Sequence, residues 1–214
     1  MLKGLWEAEM QVRCITVGGL QENCYVIWQE EIKEAIVIDP GDKGDRIADR
    51  LEEKGLKCAA IMLTHGHFDH ILGVEKLKER TGAPVMAGSQ EKELLLDSDL
   101  NVSRRVRHPA EISCDRFFED MEKVEIAGCS FTCIFTPGHT KGSVCYYFEK
   151  DKVIFTGDTL FNNGIGRTDL PTGNETELFS SIRSRLLTLP ADTRCYPGHG
   201  EATDIESERQ NFWD

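Results

Sequence analysis

The order of patterns along the chain predicts an α/β fold, built as a single sandwich. Three observations carry that expectation. Short apolar runs of strand length recur and are stopped by glycine, proline and aspartate. Helical patterns fall between them, so the order reads strand-rich, helix, strands, helix. No linker, low-complexity segment or charge run divides the 214 residues, a length that suits one domain spanning 1–214 and fits two poorly.

Residues 10–17 alternate and then meet Gly18-Gly19, which reads as a strand and its turn. A second strand follows at 24–28. The apolar run 35–38 ends at Asp39-Pro40-Gly41, a stop signal. Residues 43–54 carry Ile47, Ala48 and Leu51 at helical spacing, with Gly55 as the C-cap. Residues 59–63 form a buried strand and 64–70 a polar loop. Ile71, Leu72, Val74 and Leu77 then make one face of a helix that ends near Gly82. A short strand is expected at 84–87 and a helix at 89–97. Residues 98–120 are mixed, a long loop of the kind that covers active sites. They carry Arg104, Arg105 and Arg107, which read as a solvated basic patch. Strands return at 130–136, 143–149 and 152–156. Asn174 with Glu177 is a capping pattern for a helix running to about 189. Residues 193–196 give one more strand, and Thr203 with Glu206 forms a capping box for a short terminal helix.

Charge narrows the function. Lys plus Arg is 25 and Asp plus Glu is 37, so the formal net charge is −12. Such a surface repels phosphate backbones and anionic lipid, which argues against nucleic-acid and membrane partners. Met1-Leu2-Lys3-Gly4-Leu5-Trp6-Glu7 lacks the apolar stretch of a secretory leader, and no run approaches 18 apolar residues. The expectation is a cytoplasmic protein. Most of the eight cysteines sit in strand-like runs and none forms a C-x-x-C pair, which fits buried free thiols.

The histidines carry the chemistry. Five of the six occupy three places: Thr64-His65-Gly66-His67-Phe68-Asp69-His70, Pro137-Gly138-His139-Thr140 and Pro197-Gly198-His199-Gly200. Each follows a strand-like run and adjoins glycine. A fourth strand end, Thr156-Gly157-Asp158, adds a carboxylate. His108 stands apart and reads as a surface residue. Imidazole nitrogen and carboxylate oxygen suit zinc and similar first-row ions. Seven donors exceed what one tetrahedral ion uses; two ions roughly 3.5–4 Å apart use them all if one carboxylate bridges.

His65-x-His67-x-Asp69-His70, His139, Asp158 and His199, in that order, resemble the metallo-β-lactamase-fold hydrolases. The resemblance runs from Asp39-Pro40-Gly41 to Gly200 and implies a four-layer αβ/βα sandwich with metals at one edge. It implies His65, His67 and His139 on a first ion, Asp69, His70 and His199 on a second, and Asp158 bridging. Two divalent ions are implied, zinc first, with iron or manganese as alternatives. Asp39 would orient a ligand or the attacking water, or serve only as a turn residue. The implied chemistry is attack by a metal-generated hydroxide on a carbonyl or thioester carbon, with Asp69 and Asp158 as the catalytic carboxylates.

Gly157-Asp158-Thr159-Leu160-Phe161 and Gly164-Ile165-Gly166-Arg167-Thr168-Asp169 are similar to the glyoxalase II and persulfide dioxygenase branch. By that resemblance Arg167 contacts substrate, and the substrate is a thioester such as S-lactoylglutathione. Two departures stand against it. Asp169 occupies a position where glyoxalase II usually has an aromatic hydroxyl. Only 15 residues follow His199, where that enzyme has a helical extension. The competing readings are a persulfide dioxygenase with one iron on His65, His139 and Asp158, and a lactone or ester hydrolase.

Overall fold

Alternation along the strands sorts their side chains into layers, and the layers build the molecule. The computed structural model describes residues 10–213; the leader-free reading of residues 1–7 lies outside them. One sheet holds β1 (Met10–Val17), β2 (Glu22–Gln29), β3 (Glu34–Ile38), β4 (Lys57–Met62), β5 (Val85–Gly88) and β6 (Arg116–Phe118) in chain order. The first three pair antiparallel, and β3 to β6 pair parallel across longer connections. The other sheet starts as an antiparallel meander of β7 (Glu122–Ile126), β8 (Cys129–Phe135), β9 (Val144–Phe148) and β10 (Val153–Gly157). After a small hairpin of β11 (Leu160–Phe161) and β12 (Gly164–Ile165), β13 (Arg194–Pro197) joins β10 in parallel. β14 (Thr203–Asp204) then closes that edge.

Each inner strand is apolar on both faces. Tyr25, Ile27, Ile36 and Ile38 turn inward and meet Phe131, Tyr146, Phe148 and Phe155 of the second sheet. Cys24, Val26 and Val37 turn outward onto α1 (Gly44–Glu53) and α3 (Val74–Thr81), which supply Ile47, Leu51, Val74 and Leu77. Cys145, Tyr147, Ile154 and Cys195 face the other way, onto Leu178 of α5 (Glu175–Ser181) and Ile205 of α6 (Ile205–Trp213). Helices, sheet, sheet, helices: this is the four-layer αβ/βα order. Each large side chain buried in it stabilises the fold by about 1.5–3 kcal/mol.

Several elements differ from the sequence expectation. The single helix expected after residue 70 is two, α2 (Phe68–Ile71) and α3. They part at Gly73, whose N–H bonds the Pro40 carbonyl at 2.8 Å and which leaves that oxygen no room for a Cβ. The expected helix at 89–97 is a 3₁₀ turn, Ser89–Glu91, followed by α4 (Lys92–Leu95). The 98–120 stretch contains a second 3₁₀ turn (Ser103–Val106) and β6, and β7 follows it as an unforeseen edge strand. α5 passes into a π-helical turn, Ile182–Leu186. The terminal helix is capped by Asp204, whose Oδ1 accepts the Ser207 N–H at 2.8 Å; Thr203 bonds Glu208 instead. All eight cysteines are free thiols, six of them buried. No helix among the described residues is long and apolar enough to cross a membrane.

Candidate metal centre

Five loops leave the two sheets at the C-terminal ends of β3, β4, β8, β10 and β13, and they carry Asp39, the 64–70 run, His139, Asp158 and His199. The sandwich brings these strand ends to one edge. Donor atoms of His65, His67 and His139 lie within 4.8 Å of one another, as do those of Asp69, His70 and His199. The first trio is buried, at 1–3% exposure. In the second, His70 is buried, while the Asp69 and His199 side chains are 14% and 26% exposed.

Asp39 is more than a turn residue. It is buried with φ +48°, and its Oδ1 accepts the Thr64 N–H at 2.7 Å. Its Oδ2 accepts the Thr64 hydroxyl at 2.6 Å and faces His70 Nδ1 at 3.0 Å. Because the Thr64 proton goes to Asp39, Thr64 Oγ1 must accept from His65 Nδ1, 3.1 Å away. His65 Nε2 is therefore an unprotonated lone pair. His139 Nδ1 donates to the Arg167 carbonyl at 2.7 Å, so its Nε2 is a lone pair too. These two lone pairs face each other at 3.2 Å, and His67 Nδ1 comes within 2.8 Å of His139 Nε2. The facing His65 and His139 lone pairs repel unless a cation, or a proton on His67 Nδ1, stands among them.

Asp158 lies between the trios. Its Oδ1 is 3.4 Å from His70 Nε2, and both atoms are buried without a hydrogen-bond partner. Its Oδ2 is 3.6 Å from His139 Nε2 and 3.7 Å from His199 Nε2. Gly198 permits this approach, since a Cβ there would fall 2.3 Å from Asp158 Oδ1. Oriented imidazoles, orphaned polar atoms and one carboxylate reaching both groups fit a pair of divalent cations.

The trios differ in protonation. Burial, then the neighbouring imidazoles, push His65 well below its ordinary value, and burial with His139 takes His67 down to about 3. His139 is lowered too, chiefly by burial. In the second trio burial also opposes charge, but the carboxylates win. His70 is raised by Asp158 and Asp39, and His199 by its bond to Asp69. Burial pushes the Asp69 and Asp158 carboxyls up, yet His199 and His70 hold both below the usual carboxylate range.

The domain model of the metallo-beta-lactamase superfamily matches residues 17–199. The chain belongs to that superfamily. A probable metallo-hydrolase of Bacillus subtilis, YqgX, is 39% identical over 94% of this chain and 95% of its own length. The hydroxyacylglutathione hydrolase GloC of Haemophilus influenzae is 37% identical, covering 94% of this chain and 96% of its own. Among solved structures, BLEG-1 B3 metallo-beta-lactamase superposes with TM-score 0.89 at 37% identity, over 94% and 97% of the two chains. TTHA1623, in a di-iron-bound form, gives 0.83 at 34% identity, over 94% and 98%. Within the superfamily this chain is a metallo-hydrolase.

The remaining sequence candidates lie outside the two trios. The Arg167 side chain is turned onto Asp169 in a two-pronged ion pair, at 2.7 Å on each arm, and both groups are exposed. Its backbone, through the bond to His139, is what joins it to the site. Arg104, Arg105, Arg107 and His108 are exposed, and Arg104 pairs with Asp99. The segment before them does touch the site, because Asn101 accepts the Phe68 N–H that opens α2.

Sequence reasoning missed the residues that hold the loops. Asn23 Nδ2 bonds the Pro197 and Gly200 carbonyls at 3.1 and 2.9 Å, and the Tyr25 hydroxyl bonds Pro197 at 2.6 Å, so β2 grips the His199 loop from both sides. Glu22, 1% exposed, lies 3.8 Å from His70 Nδ1 with neither oxygen hydrogen-bonded. Glu-Asn at the start of a fully buried apolar strand was the available clue.

Proposed function

We propose that this metallo-hydrolase cleaves a thioester such as S-lactoylglutathione, or a related thiol adduct, as a cytoplasmic enzyme acting on small molecules. We further propose that His65, His67 and His139 hold one divalent ion, Asp69, His70 and His199 a second, with Asp158 between them, and that zinc fills both. The observation that carries this reading is the pair of complete donor trios with one carboxylate facing both. The likeness of nearly the whole chain to a hydroxyacylglutathione hydrolase supports the substrate class.

Ions bound there would supply Lewis acidity, making water acidic and polarising a carbonyl. The chain's own residues do the rest. Asp69, at the partly exposed mouth, keeps a carboxylate 3.2 Å from His199 and can take a proton from an attacking water. Asp39 and the Arg167 carbonyl lock the tautomers of His65, His70 and His139. Burial of the three-histidine side keeps bulk water from that end of the site. Persulfide oxidation would need only His65, His139 and Asp158 around one iron, and leaves the second trio without a role.

The test is zinc-loaded protein with S-lactoylglutathione, a lactone, a β-lactam and glutathione persulfide, alongside metal analysis of the same preparation as isolated. Release of free thiol from the thioester well above the rates on the others is expected. An intact thioester alongside rapid cleavage of another ester class would overturn the substrate assignment, and O₂ uptake on the persulfide with one iron per chain would replace it.

A further inference from the structure

The three-histidine trio sits on loops that share no strand. His65-Gly66-His67 follows β4 of one sheet, and His139-Thr140 follows β8 of the other. One buried side chain reaches both. Glu91, 1% exposed, ends the 3₁₀ turn before α4. Its Oε1 accepts the Gly66 N–H at 2.8 Å, and its Oε2 accepts the Thr140 hydroxyl at 3.0 Å. Gly142 approaches so closely that a Cβ there would fall 2.2 Å from the Glu91 nitrogen. Ser143 Oγ closes the Thr140 side by accepting the Thr140 N–H at 3.1 Å.

Every group turned toward this carboxyl is a donor, and none is a cation. A buried carboxyl is costly, and it is offset here only by donors that an apolar side chain would leave unpaired. What an apolar side chain could not do is pin two backbones to one another. We propose that Glu91 is a positioning residue for the metal centre. By tying Gly66 to Thr140 it sets the spacing of the His67 and His139 rings across the gap between the sheets. The inference rests on the metal reading above and adds a residue to it that neither trio contains.

The experiment is a zinc titration of the full chain against a chromophoric chelator, resolved into two steps. His67→Ala and His199→Ala identify which trio each step fills. Glu91→Gln keeps the volume but turns an NH₂ group onto donors. It is expected to weaken the three-histidine step about tenfold or more and to leave the other step in place. Thr140→Val, which removes one arm, should weaken the same step by less, and it decides the question if the Gln variant does not fold. Leu186→Ala, a core truncation behind the second sheet, should lower Tm without moving either step. Parent-like binding by Glu91→Gln, or equal weakening of both steps in Glu91→Gln and Leu186→Ala, would overturn the proposal. A parent chain that takes up no zinc would overturn the metal reading itself, and this inference with it.

Discussion

The two halves of the candidate metal centre share a sheet edge and Asp158, yet they differ in burial and in charge. The His65–His67–His139 side has no carboxylate of its own; its rings are buried, burial disfavours their charged forms, and His65 and His139 are held in tautomers that aim lone pairs inward. The Asp69–His70–His199 side is partly open, and its imidazoles are paired with carboxylates that favour their protonated forms. One side is preset to receive a cation. In the other, nearby carboxylates favour protons that a cation would have to displace. Burial accounts for the first condition, and nearby negative charge for the second.

If Asp158 serves both halves, removing its charge gives the largest effect. Asp158→Asn should weaken both zinc steps and lower kcat by roughly a thousandfold. Weakening of one step alone would mean that the carboxylate belongs to that half. Acid should then separate the halves. Asp158 and Asp39 raise His70, and Asp69 raises His199, so protons compete there at higher pH than on the three-histidine side. His67, at about 3, stays free of protons far longer. On acidification the Asp69–His70–His199 ion should leave first and the three-histidine ion only at lower pH, read as zinc content after equilibration. Simultaneous loss would remove the distinction.

Much of this was legible in the sequence, and what was not has a physical reason. Histidines next to glycine at strand ends were visible because few structural roles demand that combination, and all seven donors do converge. The alternation of Tyr25, Ile27, Ile36 and Ile38 with outward residues made the sandwich readable in the same way. Local pattern failed where distant chain decides the conformation. Gly73 breaks a helix because Pro40, far back in the chain, bonds its N–H. Glu91 sits among Gln90, Lys92 and Glu93, where a charged residue looks like any solvated one, and its partners lie 25 and 49 residues away. Asn23 and Tyr25 act on a loop more than 170 residues later.

That long-range grip gives a smaller effect, on the other half. Asn23→Ala removes two bonds to the His199 loop while Tyr25 keeps a third. The Asp69–His70–His199 step is expected to weaken about tenfold, with the three-histidine step unchanged. A loss shared by both steps would show that β2 supports the whole edge and not one half of it.

The smallest effect concerns substrate, and it separates the two roles of Arg167. Its carbonyl orients His139, whereas its guanidinium is held by Asp169, whose carboxyl it keeps at about 2. An exposed pair of this kind contributes little to stability and can open for an anionic ligand. Asp169→Asn frees the guanidinium and should lower KM for an anionic thioester about threefold at unchanged kcat. Arg167→Ala should raise KM by a similar factor without moving either zinc step, because the backbone carbonyl remains. A fall in zinc affinity in Arg167→Ala would tie the side chain to the three-histidine half. An unchanged KM in both variants would leave Arg167 with its carbonyl role alone, and the anionic part of the substrate would have to be met elsewhere on the rim.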